Sequence, residues 1–287
     1  MTEQEYLQTA HRINKILLRE IDRFCTEHGI RYYLICGGLL GAVRHKSFIP
    51  WDDDVDIGMT RHDFEILKRY ARKEWAGGDF LFVDYNEMGH GTFLDFLSRV
   101  VYMKEEVPVN IFQKIRGKGR SDLDNHIPID IYVFDDATDD EKKHARQTLI
   151  IQGLYGLAMG HRAYVNFDEY KSCDEKRQKQ IRMLVTVGRC IPLRLIFLAY
   201  EIVRKWYNGK PGQDYFESNG WIYCIPWRFK RAWFGEGVRL PVDEEMFLCP
   251  VDYDAFLKRH YVNYMELPPE KSRHPSHSVE ASGIFQD

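Results

Sequence analysis

The chain has 287 residues, a formal net charge of −3, 44% hydrophobic residues and 29% charged residues. These values suit a soluble globular protein with one large domain, or a core domain with an appended helical part. The weakly negative charge gives no electrostatic support for a nucleic-acid partner, although a nucleotide ligand is compatible with it. The six cysteines are widely spaced and form no CxxC pair, so we expect neither a zinc site nor a disulfide framework, but reduced thiols in the cytoplasm.

Targeting and membrane signals are weak. The N-terminus is polar and acidic, which predicts no secretory signal, and no apolar run is long enough to span a bilayer. The most apolar stretch, 191–203, is interrupted by charges and a proline, which favours a buried helix. A helix lying on an anionic membrane surface is the alternative, with peripheral contact at the inner face of the membrane. The cations that would support it are Arg189, Arg194, Arg204 and Lys205.

The first half alternates helical and strand patterns. Thr2–Glu5 has the form of a capping box and predicts the start of a helix that ends at His28-Gly29. Thr60 has the position of an N-cap, and runs rich in β-branched and aromatic residues predict a mixed sheet. The predicted strands are 32–36, 55–59, 80–83, 93–102 and 127–134, and the predicted helices are 2–28, 39–43 and 60–71.

The second half has a different character. A second capping-box pattern at Thr138–Glu141 predicts the start of a helical region that continues with interruptions to about Tyr207. Asp135 and Asp136, just before it, have the pattern of a solvated turn. We therefore expect an α/β (α+β) protein, with a mixed-sheet core at 1–137 and a mostly helical part at 138–287.

Four acids crowd into the five positions from Asp52 to Asp56, which is unfavourable unless something positive is bound there. In an extended strand Asp54 and Asp56 project to one face, while Val55 and Ile57 point into the core. Two carboxylates on one face suit a hard cation, so we predict a Mg²⁺ site, with Mn²⁺ as the alternative. A solvated acidic turn is the competing interpretation of the acids alone.

Phosphate-binding features precede the acids. Gly37 and Gly38 stand where a strand turns into a helix, where backbone N–H groups can approach a phosphate. The basic triplet Arg44, His45 and Lys46 follows. The helix dipole favours cations at a helix C-terminus, which is the competing interpretation of the triplet. Asp130 lies between two isoleucines in an apolar strand, so it needs a partner, and a metal shared with the other acids is the simplest one. The predicted phosphate-binding residues are Gly37, Gly38, Arg44, His45, Lys46 and Asp53.

The segment GGLLGAVRHKSFIPWDDDVDIG resembles the signature of the LicD family of phosphotransferases, which has the nucleotidyltransferase fold. The resemblance covers about 13–132 and returns in YMELPPEKSRHPSH. It implies a glycine pair, a DxD strand and a third acid on a later strand, here Asp54, Asp56 and Asp130 as catalytic residues and metal ligands. The family often has Ser or Thr where this chain has Gly38, which removes a hydroxyl contact to phosphate and leaves the backbone contacts.

The resemblance implies the function. It would be metal-dependent transfer of phosphocholine, or a related phospho-alcohol, from a CDP-linked donor such as CDP-choline to a sugar hydroxyl of a cell-surface glycan. The acceptor would be a lipopolysaccharide or teichoic-acid-type precursor, free or lipid-linked, and CMP would leave. Two alternatives are a nucleotidyltransferase that attacks the α-phosphate of a nucleoside triphosphate and a non-catalytic nucleotide-binding protein.

Three later stretches are candidate binding segments. The basic loop 114–120 has the pattern of a solvated turn or a phosphate contact. The aromatic stretch 215–234 is typical of core, and a choline headgroup held by ring faces is the sharper interpretation. The basic tail, which the family shares, is either a disordered terminus or part of the site. The candidates are Trp221, Trp227 and Trp233 for the headgroup, and Arg273 and His277 in the tail.

Overall fold

The computed structural model describes residues 2–88, 91–107, 123, 125–171, 173–210, 212–261 and 263–275. The basic loop 114–120 and His277 lie outside these residues. The described helices are α1 Glu3–His28, α2 Cys36–Arg44, α3 Arg61–Glu74, α4 Tyr85–Met88, α5 Glu141–Ala158, α6 Glu175–Gly188, α7 Leu193–Arg204 and α8 Tyr253–His260. The strands are β1 Tyr33–Ile35, β2 Asp56–Thr60, β3 Phe80–Val83, β4 Ser98–Tyr102, β5 Pro128–Asp136, β6 Asp214–Glu217, β7 Phe229–Lys230, β8 Val238–Val242 and β9 Glu245–Cys249.

The predicted mixed α/β architecture is confirmed. Seven strands form one sheet in which β1, β2, β5, β4 and β3 are successive neighbours, and β6 and β7 continue from β5. The β2–β5 pair is parallel and the other pairs are antiparallel. Strands β4 and β6 both pair with β5, β4 along its first half and β6 along its end. The sheet therefore continues past residue 137, because strands from 214 onward complete it.

Local signals set several helix ends as predicted. The Thr2 hydroxyl accepts from the N–H of Glu5, and the Glu5 carboxylate accepts from the N–H of Thr2, which completes the capping box. Thr60 caps α3 by accepting from the N–H of Asp63. The predicted box at Thr138 is wrong. Asp140 is the N-cap of α5, because three cap-forming residues stand in a row there.

Two apolar layers hold the sheet. The main core joins α1 and α3 to the sheet, and Ile13, Leu17 and Ile21 of α1 are fully buried in it. A second cluster lies under α5 and α7, where the rings of Phe96 and Tyr200 stack with centroids 3.6 Å apart. The helices of the second half thus cover sheet surface that would otherwise expose aromatic side chains.

A buried ion-pair network fixes α7 to the sheet. Asp135 at the end of β5 is fully buried and accepts from the guanidinium groups of Arg61 and Arg204. Burial opposes its ionisation, but these two cations hold the pKa of Asp135 below its ordinary range. Asp136 accepts from the N–H of Gly209. The interpretation of Asp135 and Asp136 as a solvated turn is therefore wrong, since both lie in β5 and the cations that pair with Asp135 come from distant helices.

No helix among the described residues combines the length and the apolar character needed to cross a membrane.

Candidate active site

Two of the predicted acids lie opposite each other on the parallel strands. Asp56 opens β2, and its partner in the register of β5 is Asp130. Directly opposed residues point to the same face of a sheet, so both carboxylates project from one side. Burial alternates upstream as predicted, with Asp54 and Asp56 half-buried and Val55 and Ile57 buried. Asp56 and Asp130 are therefore carried by adjacent strands, and Asp54 lies just before β2.

Asp130 has a partner that the sequence did not reveal. Its carboxylate Oδ1 lies 2.7 Å from Nε of Arg99, which is the residue opposite it on β4. The Arg99 guanidinium also donates to both oxygens of Asp95, at 3.0 and 2.7 Å, and its side chain is 2% exposed. Burial works against the charged form, but Asp130 and Asp95 raise the pKa of Arg99 above its ordinary value. Asp130 is thus held in place by a charged, buried arginine.

A second acidic group lies just before β2. Side-chain oxygens of Asp52, Asp53 and Asp54 come within 4.8 Å of one another. Asp53 is buried and accepts at 2.9 Å from the hydroxyl of Tyr6 on α1. Burial and the Asp53 charge raise the pKa of Tyr6, which keeps this hydroxyl a donor. Closely spaced carboxylate oxygens are a donor set that fits Mg²⁺ or Mn²⁺.

The glycine turn differs from its predicted form. Helix α2 begins at Cys36, so Gly37 and Gly38 form its first turn instead of preceding it. Cys36 has φ 48°, in the left-handed region that side chains with a Cβ rarely adopt. The N-cap residue, Ile35, makes no side-chain hydrogen bond to the first turn of this helix. A Cβ at Gly37 would overlap the carboxylate of Asp52, so only glycine lets this acid lie against the helix N-terminus.

The basic triplet at the other end of α2 splits into different roles. Arg44 donates through Nη1 to the carbonyls of Tyr264 and Glu266, at 2.8 and 3.1 Å, and so holds the C-terminal segment. His45 follows as the helix C-cap, and burial together with Arg44 lowers its pKa. Lys46 is exposed in a left-handed turn with φ 57°. The structure therefore shows Arg44 occupied with backbone carbonyls, and Lys46 as the exposed cation of the three.

The C-terminal segment returns to the acids. The Arg273 guanidinium lies over the ring of Trp51, 5.4 Å from its centroid. The His45 ring meets the same tryptophan edge-on, with the two ring centroids 5.8 Å apart. Tyr261 is nearby as well. Its pKa is raised by burial and then by the charges of its neighbours, among them Asp52. The segment that the resemblance picked out thus lies beside the acidic loop.

The three candidate tryptophans are not brought together. Trp221 is 64% exposed, whereas Trp227 and Trp233 pack partly against the main core. One face of Trp227 already carries the Arg259 guanidinium, 4.8 Å from the ring centroid. No ring contact joins the three tryptophans in the part of the chain that the structure describes. Their role as a headgroup cage stays a prediction without geometric support.

Sequence reasoning also missed a buried polar pair near the glycine turn. His260 of α8 lies 3.5 Å from Glu217 of β6, whose side chain is 1% exposed. Burial raises the pKa of the Cys36 thiol, and the charges of Asp56 and Glu217 raise it further. No pattern around Glu217 indicated this, because β6 was read as part of an aromatic stretch and not as a strand.

Comparison with known proteins agrees with this geometry. Residues 29–145 match the family model described as LicD/FKTN/FKRP, nucleotidyltransferase domain. The lipopolysaccharide cholinephosphotransferase LicD of Haemophilus influenzae is 26% identical over 286 residues, which cover 93% of this chain and 95% of that protein. The human ribitol 5-phosphate transferase FKRP is 38% identical over 76 residues, or 22% of this chain and 15% of that protein. An uncharacterised protein of Rickettsia prowazekii is 45% identical over 47 residues, or 16% of this chain and 18% of that protein.

The mixed sheet, the paired acids and the matched region define a nucleotidyltransferase-type domain. Residues 29–145 are a LicD-type domain, and along nearly its whole length the chain is similar to a LicD cholinephosphotransferase. This confirms the resemblance read from the glycine pair and the DxD strand.

Proposed function

We propose that this protein transfers phosphocholine, or a related phospho-alcohol, from a CDP-linked donor to a sugar hydroxyl of a cell-surface glycan precursor, free or lipid-linked, and releases CMP. The observation that carries the proposal is the register of Asp56 against Asp130, beside a helix N-terminus whose N-cap residue makes no side-chain hydrogen bond. Carboxylates for a cation and N–H groups for phosphate then lie at one end of the same strand pair, as phosphoryl transfer requires.

The reaction needs three roles from the chain. Asp54, Asp56 and Asp130 would hold Mg²⁺ or Mn²⁺, which when bound would neutralise the diphosphate. The first-turn N–H groups of Gly37 and Gly38 would hold phosphate oxygens. The sugar oxygen would form a bond to the distal phosphorus while the bond from that phosphorus to the CMP oxygen breaks. The hydroxyl proton would pass to one of the carboxylates, and CMP would leave with the bonding electron pair.

The choline headgroup is supported by how much of the chain each relative aligns with, and not by the tryptophans. The relative named for cholinephosphate transfer aligns along nearly the whole chain, whereas the one named for ribitol 5-phosphate aligns over a fifth of it. A headgroup must be recognised outside the short motif that both share. We therefore expect CDP-choline to be preferred over CDP-ethanolamine, CDP-ribitol and CDP-glycerol.

Removal of single carboxylates tests the catalytic assignment. We expect Asp54→Asn and Asp56→Asn each to lower CMP release on the order of a thousandfold, because each would remove a ligand that stabilises transition-state charge. Melting in EDTA should change little, since both side chains are half-buried at the edge of the core. Asp168→Asn, at an exposed carboxylate of the helical part, is the matched control. Activity within tenfold of wild type in both active-site variants would refute the assignment.

A further inference from the structure

Helix α7 has apolar side chains on two sides. Ile196, Tyr200 and Val203 are buried against the second core cluster. On the other side Leu195, Leu198 and Ile202 are 50, 58 and 56% exposed. Their spacing of three and four residues puts them in one stripe along the helix. A helix with one face in the core does not need this second stripe for folding.

Helix α6, which precedes it, repeats the arrangement. Val185 is buried, while Met183 and Val187, one turn apart, are 58 and 46% exposed. The two helices are joined only by the short turn 189–192, so exposed apolar side chains flank that turn on both sides. Single exposed apolar residues are ordinary on a protein surface, but a stripe of three on one helix is typical of an interaction site.

The charges in this part of the sequence are mainly positive. Residues 175–194 contain six lysine and arginine residues and one acid, in a chain whose net charge is −3. Arg189 and Arg194 are exposed in and next to the turn. The acid on α7, Glu201, is paired with Arg204 and Lys205 and does not offset them. Exposed apolar side chains bordered by arginines complement an anionic bilayer, which offers both a hydrocarbon layer and negative headgroups.

We propose that this α7 surface, made of Leu195, Leu198 and Ile202 with Arg189 and Arg194 at its start, docks on an anionic lipid membrane. Two cations that flank the apolar stretch in the sequence do not take part. Arg204 is 1% exposed and binds Asp135, and Lys205 is paired with Glu65. The same Arg204–Asp135 contact joins α7 to the end of β5, so docking through α7 would fix the orientation of the catalytic sheet relative to the membrane.

Vesicle sedimentation of the full chain tests the proposal without any substrate. Wild-type protein should sediment with vesicles of phosphatidylcholine and phosphatidylglycerol and stay in solution with phosphatidylcholine alone. The double variant Leu198→Asn, Ile202→Asn should lose at least tenfold in vesicle affinity. Arg189→Gln and Arg194→Gln should each lose about fivefold, as expected for one surface cation near anionic lipid. Met246→Asn, at a 48%-exposed position on β9, is the matched control and should bind like wild type.

Three results would overturn the proposal. The first is wild-type protein that stays in solution with anionic vesicles. The second is a double variant that binds them as well as wild type. The third is a dimer, seen by light scattering, that the double variant dissociates, because the surface would then be covered by a second copy of the chain. The measurement involves no turnover, so its failure would leave the proposed transferase function untouched.

Discussion

Asp130 joins the proposed catalytic acids to the buried ion pairs of the sheet, and Asp130→Asn should therefore lower stability even without metal. Its carboxylate lies 2.7 Å from Nε of Arg99, and the Arg99 side chain is 2% exposed. Removing one partner of a buried pair costs about 3–5 kcal/mol when the other charge is left uncompensated. Here Asp95 still binds the guanidinium through both oxygens, and Asp130 is 23% exposed. We therefore expect a loss of about 1–3 kcal/mol.

Urea unfolding in EDTA measures this loss directly. Asp56→Asn is the matched control, because Asp56 is the register partner of Asp130 on β2, away from the Arg99 side of β5. If Asp130 also binds metal, Mg²⁺ should stabilise the wild type and fail to stabilise Asp130→Asn. In a double-mutant cycle with Arg99→Met, the double variant should lose less stability than the sum of the losses in the two single variants. An Asp130→Asn protein as stable in EDTA as wild type would refute the structural role that we derive from the Arg99 contact.

Three further predictions follow from other contacts. Gly37→Ala should lower CMP release at least tenfold with an unchanged or slightly higher melting temperature, because its Cβ would displace the Asp52 carboxylate while alanine favours the helix; equal activity would contradict this. Tyr6→Phe should reduce the free energy of unfolding, measured in urea, by about 1–3 kcal/mol, since buried Asp53 loses a donor. Burial opposes ionisation of Glu201, but its ion pairs lower its pKa from 4.5 to about 2. The stability that ionised Glu201 contributes is therefore present above pH 4.5 and lost as pH falls towards 2. In Glu201→Gln, the decrease in the free energy of unfolding over this pH range should be smaller by about 1–2 kcal/mol, measured in acid unfolding curves.

The parts of this site that lie within one local segment could be predicted from the sequence. The burial alternation around Asp54 and Asp56 follows from strand geometry, and the Thr60 cap follows from the residues next to it. The pairing of Asp56 with Asp130 could not be predicted from local sequence alone, since the register of β2 against β5 depends on the tertiary fold. The apolar neighbours of Asp130 indicated that it has a partner, and the family resemblance grouped it with the other two acids.

The contacts that could not be predicted are long-range. Arg99 gave no signal, because its role depends on lying opposite Asp130 in an antiparallel pair. In the sequence Arg204 fits the alternative of a membrane-surface helix, since nothing near it shows that Asp135 meets it across the fold. The capping box at Thr138 failed for a different reason. Its pattern was correct, but Asp140 competes for the same helix start and takes it.

The most direct test of the proposed function is incubation of the purified protein with Mg²⁺, a glycan acceptor precursor and a panel of CDP-alcohols, with CMP release measured for each. The account predicts CMP release that is fastest with CDP-choline, requires the divalent cation and is lost in Asp56→Asn. Faster turnover of CDP-ethanolamine, CDP-ribitol or CDP-glycerol would contradict the choline assignment alone. Absence of CMP from every donor, together with pyrophosphate release from a nucleoside triphosphate, would contradict the phosphotransferase function itself.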